Sequence, residues 1–325
     1  MNGTRPPADI AALLAEARAQ LDAPREALLL VAHALGLARE TLYAHPERAV
    51  SRAEVRAALA LVEPRKRGAP IAYLTGQREF YGLALAVTPA VLIPRPETEL
   101  LVDLALAHLN TPAVNRFLSP SPSMGEGGGE GDQNSAALRR NPSSPPSPTR
   151  GEGAGKGAAP VVADLGTGSG AIAIAIAHAR PDAQLIATDR SPAALALATA
   201  NARALGLAIN FFCADWLTAF APRTFDLIVS NPPYVAAGDV HLAQGDLRFE
   251  PNGALVADDD GLADLRDLIG NAPACLKPGG MLVLEHGAEQ QTAVCALLAE
   301  HGYAGIETHR DLAGLPRAVT ARHPL

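Results

Sequence analysis

Cysteine is scarce in this chain, and Cys213, Cys275 and Cys295 form an odd set without close pairing. That excludes a disulfide framework and a zinc knuckle, and it suits a reducing compartment. Basic residues are not in surplus either: 27 Lys and Arg stand against 34 Asp and Glu, a formal charge of −7. Such a chain has no overall electrostatic footprint for sequence-independent nucleic-acid binding. The nine histidines are scattered, so no metal site is expected. No apolar run approaches the ~20 residues that span a bilayer, and the first residues carry Arg5 and Asp9 in place of an apolar secretory segment. The expectation is a soluble, cytoplasmic monomer with no membrane partner and no direct nucleic-acid substrate, acting on a protein or a small molecule.

At 325 residues the chain is long enough for two ordinary domains. Residues 8 to 67 carry apolar positions at helical spacing, with Leu13, Leu14, Ala17 and Leu21 followed by Leu28, Leu29, Val31, Ala32 and Leu35, and Gly36 as a stop. Residues 1–69 therefore read as a small helical domain. Pro70, Gly76, Gly82, Pro89 and Pro94 then punctuate the runs Glu79–Tyr81 and Leu83–Val87, which predicts a hairpin. Pro96 suits the first turn of a helix reaching about Leu109, so 70–110 reads as a hairpin and helix linker. Residues 111–158 are rich in Ser-Pro and Gly-Glu repeats and cannot bury enough apolar surface to offset their ordering entropy. They read as a disordered insertion, and Gly155-Lys156 within it is no P-loop, because Arg150 and Gly157 stand where glycine and Ser or Thr are required.

From 159 to 325 strands and helices alternate. Strands are expected at 161–165, 184–188, 209–213, 225–230 and 281–285, and helices at 170–179, 192–205, 261–275 and 288–301. Two late runs, Tyr303–Thr308 and Arg317–Thr320, suit an antiparallel pair at one edge. The pattern is α/β, a doubly wound, mostly parallel seven-stranded sheet.

The strand Val161–Leu165 runs into Gly166-Thr167-Gly168-Ser169-Gly170 and then a helix. Glycines there let the chain turn tightly and let a ligand approach the backbone. With Ala171 in last place the segment also satisfies the dinucleotide pattern G-x-G-x-x-G/A, so a nicotinamide cofactor has to be weighed. Asp189 ends the next strand 23 residues past Gly166, where a carboxylate bonds ribose hydroxyls in either kind of site. It equally suits an acid ahead of the helix that starts at Ser191-Pro192. Asp164, two residues before the glycines, suits a cofactor with a cationic amino-acid tail. Trp216, the only tryptophan, follows the third strand and fits either an adenine contact or core packing.

The run Phe225–Ser230 ends in Asn231-Pro232-Pro233-Tyr234. Proline pushes the residue before it into an extended conformation, so Asn231 is held at the strand end. Its side-chain oxygen can accept one hydrogen of an NH₂ group, the Pro232 carbonyl the other, and the Tyr234 ring can cover the flat face. That is a cradle for an amide or an exocyclic amine. A dehydrogenase would need a hydride-side acid or base, which this motif lacks.

Together with Pro70–Gly76, Leu92-Ile93-Pro94-Arg95-Pro96-Glu97-Thr98-Glu99, Arg248-Phe249-Glu250-Pro251 and Leu284-Glu285-His286-Gly287, these residues make the chain resemble the HemK/PrmC protein-(glutamine-N5) methyltransferases. The resemblance spans nearly all of 8–110 and 160–321, and residues 111–158 depart from it. It implies a Rossmann-like methyltransferase sheet, S-adenosyl-L-methionine as cofactor and the glutamine of the Gly-Gly-Gln tripeptide of peptide chain release factors as substrate. By that resemblance Gly166, Thr167, Gly168, Ser169, Gly170, Asp189, Trp216 and Asn231 contact the cofactor. Asn231, Pro232, Pro233 and Tyr234 hold the substrate, and Asn231, Pro232 and Tyr234 carry catalysis. Asn-Pro-Pro-Tyr is shared with adenine-N6 methyltransferases of DNA or RNA, which remain the alternative, beside a non-catalytic binding module.

Overall fold

The computed structural model describes residues 8–110 and 158–324, so the expected disorder of the insertion lies outside the described residues except at Ala158. Four helices open the chain: α1 (Ile10–Gln20), α2 (Pro24–Leu35), α3 (Arg39–Ala44) and α4 (Arg52–Lys66). Local chemistry sets their ends. Asp9 caps α1 by accepting from the Ala12 N–H, Gly36 closes α2 in the left-handed region that glycine enters freely, and Ser51 and Glu54 form a reciprocal capping box at the start of α4. Ile10, Leu13, Leu30, Val31, Leu42 and Val62 meet in a core separate from that of the sheet.

A short helix α5 (Ile71–Thr75) and the hairpin β1 (Gln77–Phe80) and β2 (Leu83–Ala86) follow. Pro96–Thr98 form a 3₁₀ turn, and the helix expected from Pro96 begins at Glu99 as α6 (Glu99–Asn110). Beyond the insertion come β3 (Val161–Leu165), α7 (Ala171–Ala179), β4 (Gln184–Asp189), α8 (Pro192–Ala204), β5 (Asn210–Cys213), β6 (Phe225–Ser230), the short pair β7 (Val235–Ala236) and β8 (Val256–Ala257), α9 (Ala263–Cys275), β9 (Leu276–Glu285), α10 (Gln291–Glu300), β10 (Ala304–Arg310) and β11 (Pro316–Arg322). The main sheet has seven strands in the order β10-β11-β9-β6-β3-β4-β5. β9, β6, β3, β4 and β5 run parallel, and β11 is antiparallel to both β9 and β10.

Alternate residues of the central strands feed opposite faces. Val162, Leu227, Val229 and Val283 pack with α6 and α7, while Ala163, Leu165, Ile228, Leu282 and Leu284 pack with α9 and α10. Helix α6, read from the sequence as part of a linker, thus covers one face of the sheet. Among the described residues no helix is long and apolar enough to cross a membrane.

The helix expected at 288–301 spans only Gln291–Glu300, and two further boundaries differ from expectation for local reasons. The strand expected at 281–285 begins earlier, as β9 at Leu276. The ladder passes from Phe225–Leu276 to Leu227–Met281 through a bulge that absorbs the extra residues, with Gly279 at φ 75°. The helix expected from 261 starts at Ala263, because Asp259, Asp260 and Gly261 all take positive φ and make a tight turn first.

The loop before β8 is tied to the rest of the molecule through charge. Glu250 is buried, accepts from the Ile93 N–H at 3.1 Å and pairs with the Arg95 guanidinium. This joins the two proline-containing segments 92–96 and 248–251. Arg248 lies over the Phe249 ring and donates to the Arg67 carbonyl at 2.8 Å, and Arg65, chelated by Glu26, reaches Asp246 at 3.5 Å. Together these contacts stabilise the loop at 246–250. Removing one partner of a buried ion pair strands the other, so Glu250→Ala is expected to lower stability by about 3 kcal/mol in urea denaturation, and Glu250→Gln by less.

Candidate active site

A doubly wound sheet opens a crevice where strand order reverses, at the carboxyl ends of the strands. Here the chain leaves β3 outward to β4 and β5, then returns to β6 on β3's other side. Leu165 and Ser230, the last residues of β3 and β6, stand side by side. The Ser230 hydroxyl donates to the Leu165 carbonyl at 2.7 Å. The glycine turn after β3 and Asn231 after β6 therefore leave adjacent strand ends.

Two cavities meet at this point. The first, about 210 Å³, is lined by Gly166 to Ser169, Asp189, Trp216, Asn231 and Pro233, among others. The second, about 710 Å³, is lined by Pro232, Tyr234, Glu97, His241 and Asp246, among others. Leu92, Arg95, Asn231 and Ala254 border both. Of the residues expected at the cofactor, Gly166, Thr167, Gly168, Ser169, Asp189, Trp216 and Asn231 line the first cavity. Gly170 lies behind the turn, where an added Cβ would sit 2.9 Å from Ile174 Cδ1 and 3.1 Å from Ala198 Cβ.

The turn is built by hydrogen bonds as well as by glycine. Gly166, Gly168 and Gly170 take φ of 69°, 57° and 85°, which side chains resist. Asp189 accepts from the Gly168 N–H at 2.9 Å with one oxygen and from the Ser191 N–H at 2.8 Å with the other. It thus braces the turn and the start of α8 while keeping lone pairs toward the cavity. Trp216 packs against the sheet core and also lines the first cavity beside Gly166.

Asp164 is placed differently from what its position suggested. It is buried under the turn, accepting from the Thr167 hydroxyl at 2.6 Å and the Ala173 N–H at 3.1 Å, and it is not part of the cavity wall. Burial pushes its acid up to about 6, opposed by those two hydrogen bonds.

The residues present fit S-adenosyl-L-methionine. A glycine turn leaves open backbone, Asp189 offers a carboxylate to ribose hydroxyls, and Trp216 offers a flat apolar face. At Gly166 a Cβ would lie 3.1 Å from the Trp216 ring, in a backbone region unfavourable to side chains. Gly166→Ala is expected to weaken cofactor binding ~10-fold, about 1.4 kcal/mol, in calorimetric titration.

Sequence reasoning missed the partners behind Asn231. Its Nδ2 donates to the Thr98 hydroxyl at 3.1 Å, and Thr98 donates in turn to Glu285 at 2.7 Å. The Tyr234 hydroxyl donates to the other Glu285 oxygen at 3.0 Å, while the Tyr234 side chain borders the larger cavity. Glu285 is fully buried, and burial pushes its acid up to about 7 against the two hydroxyl donors. Gln290 clamps the backbone of the motif, donating to the Tyr234 carbonyl at 3.0 Å and accepting from the Gly287 N–H at 2.9 Å. The available signal was indirect: Thr98 and Glu285 both lie in segments that carried the family resemblance.

Comparisons with known proteins agree with this geometry. A family model described as "PrmC N-terminal domain" matches residues 8–76, and one described as "Methyltransferase small domain" matches residues 155–250. A release factor glutamine methyltransferase of Burkholderia pseudomallei (strain K96243) is 43% identical over 331 residues, covering 100% of both chains. One from Bordetella pertussis (strain Tohama I) is 44% identical, covering 94% of this chain and 97% of the relative. That of Escherichia coli (strain K12) is 39% identical, covering 95% and 97%. With identity at this level along its whole length, this chain belongs to the release factor glutamine methyltransferase family.

Proposed function

We infer that this chain transfers a methyl group from S-adenosyl-L-methionine to the side-chain amide nitrogen of a release factor glutamine, the one in the Gly-Gly-Gln tripeptide. The observation that carries this reading is the shared wall: the cavity lined by the glycine turn and the larger cleft meet at Asn231. When bound, the cofactor supplies an electrophilic methyl group. The chain's own residues have to orient the acceptor, because an amide nitrogen has its lone pair delocalised into the carbonyl and is a poor nucleophile.

Asn231 Oδ1 and the Pro232 carbonyl accept the two amide hydrogens and fix the nitrogen at the junction. Tyr234 covers the amide and excludes water from that side. No strong base is needed, since the methylated nitrogen carries positive charge and releases a proton readily.

Helices α1 to α4 serve as the docking surface for the release factor. This is supported by the Arg65 guanidinium and the Arg67 backbone carbonyl, which tie Asp246 and Arg248, and with them the loop bearing Leu247, beside the larger cleft. The enzyme acts as a cytoplasmic monomer on protein and not on nucleic acid, in keeping with its free cysteines and acidic charge. Incubation with methyl-labelled cofactor, a release factor and adenine-containing DNA tests the reading. Label on the factor alone supports it, and label on DNA transfers the assignment to adenine-N6 methylation.

A further inference from the structure

A side-chain amide is nearly symmetric in shape, so only its partners decide whether it shows oxygen or NH₂ to a ligand. If Asn231 is to accept a substrate N–H, its own NH₂ has to be held elsewhere. Thr98 is the holder, but a hydroxyl both donates and accepts, so it selects an orientation only when its own proton is committed. Here it is committed to Glu285, whose second oxygen is taken by Tyr234. The chain of donors runs one way, from Asn231 to Thr98 to Glu285.

We propose that Glu285, acting through Thr98, sets the polarity of the Asn231 amide, so that these two residues are positioning residues for methyl transfer. The inference rests on the reading of Asn231 as the substrate cradle. An ionised Glu285 is acceptor-only and enforces the productive orientation. A protonated Glu285 can donate to Thr98, which frees the threonine proton for Asn231 Oδ1 and turns the NH₂ toward the substrate.

The groups facing Glu285 are Thr98 and Glu97 of the 3₁₀ turn, Tyr234, and Arg317 of β11, itself paired with Asp311. Glu97 raises the Glu285 acid and Arg317 lowers it, and burial outweighs both, so the reversal falls near neutral pH. In the wild type, kcat is then expected to rise with pH through about 7.

The test measures kcat and KM for a release factor, cofactor Kd and thermal melting for Thr98→Val, Thr98→Ser and Glu285→Gln over a range of pH. Thr98→Val keeps the shape and loses the acceptor, and Thr98→Ser keeps the hydroxyl. Glu285→Gln can donate to Thr98 at any pH. Thr98→Val and Glu285→Gln are expected to lower kcat by ~10- to 100-fold, with KM and cofactor Kd within about threefold. Thr98→Ser should stay within about threefold of wild type in kcat, and Glu285→Gln should lose the rise near pH 7. The proposal is overturned by wild-type kcat in Thr98→Val, by Thr98→Ser falling as far as Thr98→Val, or by an unchanged pH profile in Glu285→Gln. Should Thr98→Val fail to fold, the serine and glutamine variants and the wild-type profile still decide. An inactive wild type would overturn the functional reading itself, whereas an active wild type with an indifferent Thr98→Val would overturn only this inference.

Discussion

Replacing Asn231 by alanine is expected to lower methyl transfer at least ~100-fold, the scale for losing one preorganised polar group at a reacting centre, while cofactor affinity falls less. Several features of the site lead to this. Asn231 is one of four residues that border both cavities, and its amide NH₂ donates to the Thr98 hydroxyl. The remaining acceptor, the Pro232 carbonyl, can hold only one of the two substrate hydrogens. Pro232 and Pro233 still fix the backbone after the substitution, and the glycine turn lining the first cavity is untouched, so cofactor binding is expected to be largely kept. Single-turnover kinetics with saturating cofactor separates the two effects, and turnover within threefold of wild type would remove Asn231 from the mechanism.

The second large effect is expected at a residue outside the reacting groups. Gly261 has φ 85°, and a Cβ there would lie 2.3 Å from the Tyr234 carbonyl oxygen and 2.8 Å from Gln290 Nε2. Backbone cannot yield as a flexible side-chain tip does, so Gly261→Ala has to displace the Asn-Pro-Pro-Tyr segment or the turn that carries Asp259 and Asp260. A displacement of about 1 Å at a reacting site can lower rate ~100-fold, and the unfavourable φ adds about 1–3 kcal/mol of strain. Both turnover and melting temperature should fall. Gly36→Ala is the control: it has a similar φ of 62° and open space around the added carbon. It is expected to lower stability modestly and leave turnover alone. Equal turnover in the two variants would show that contact with Tyr234 does not position the motif.

What the sequence made legible follows from where residue type dictates backbone. Val161–Leu165 and Phe225–Ser230 are apolar runs that end at a glycine turn and at Asn-Pro, and both are central strands buried on two faces. The edge pair of Tyr303–Thr308 and Arg317–Thr320 forms as β10 and β11, with β11 inserted between β10 and β9. The amphipathic pattern of α6 shows that it buries a face, but periodicity does not say against what, and its place on the sheet came only from the structure. Boundaries were lost where an exception to a local rule occurs, as at the bulge that carries β9 through Pro278-Gly279-Gly280.

The site divides in the same way. Glycines and the Asn-Pro-Pro-Tyr segment announce themselves because their chemistry is also a backbone requirement. Thr98 and Glu285 do not, because their hydrogen bond joins residues 187 apart in the chain and neither residue type imposes a local geometry. Asp164 shows the converse: its position suggested a ligand, and its hydrogen bonds show a support for the turn.

The central claim is that Asn231 to Tyr234 cradle a release factor glutamine for methylation. The most direct measurement is fragment mass spectrometry of a release factor after incubation with the enzyme and methyl-labelled S-adenosyl-L-methionine, alongside the same factor with its Gly-Gly-Gln glutamine changed to alanine. A single labelled methyl on that glutamine side chain, with the alanine factor unlabelled, is the predicted result. Label retained on the alanine factor, or found on another residue of the intact one, would contradict it.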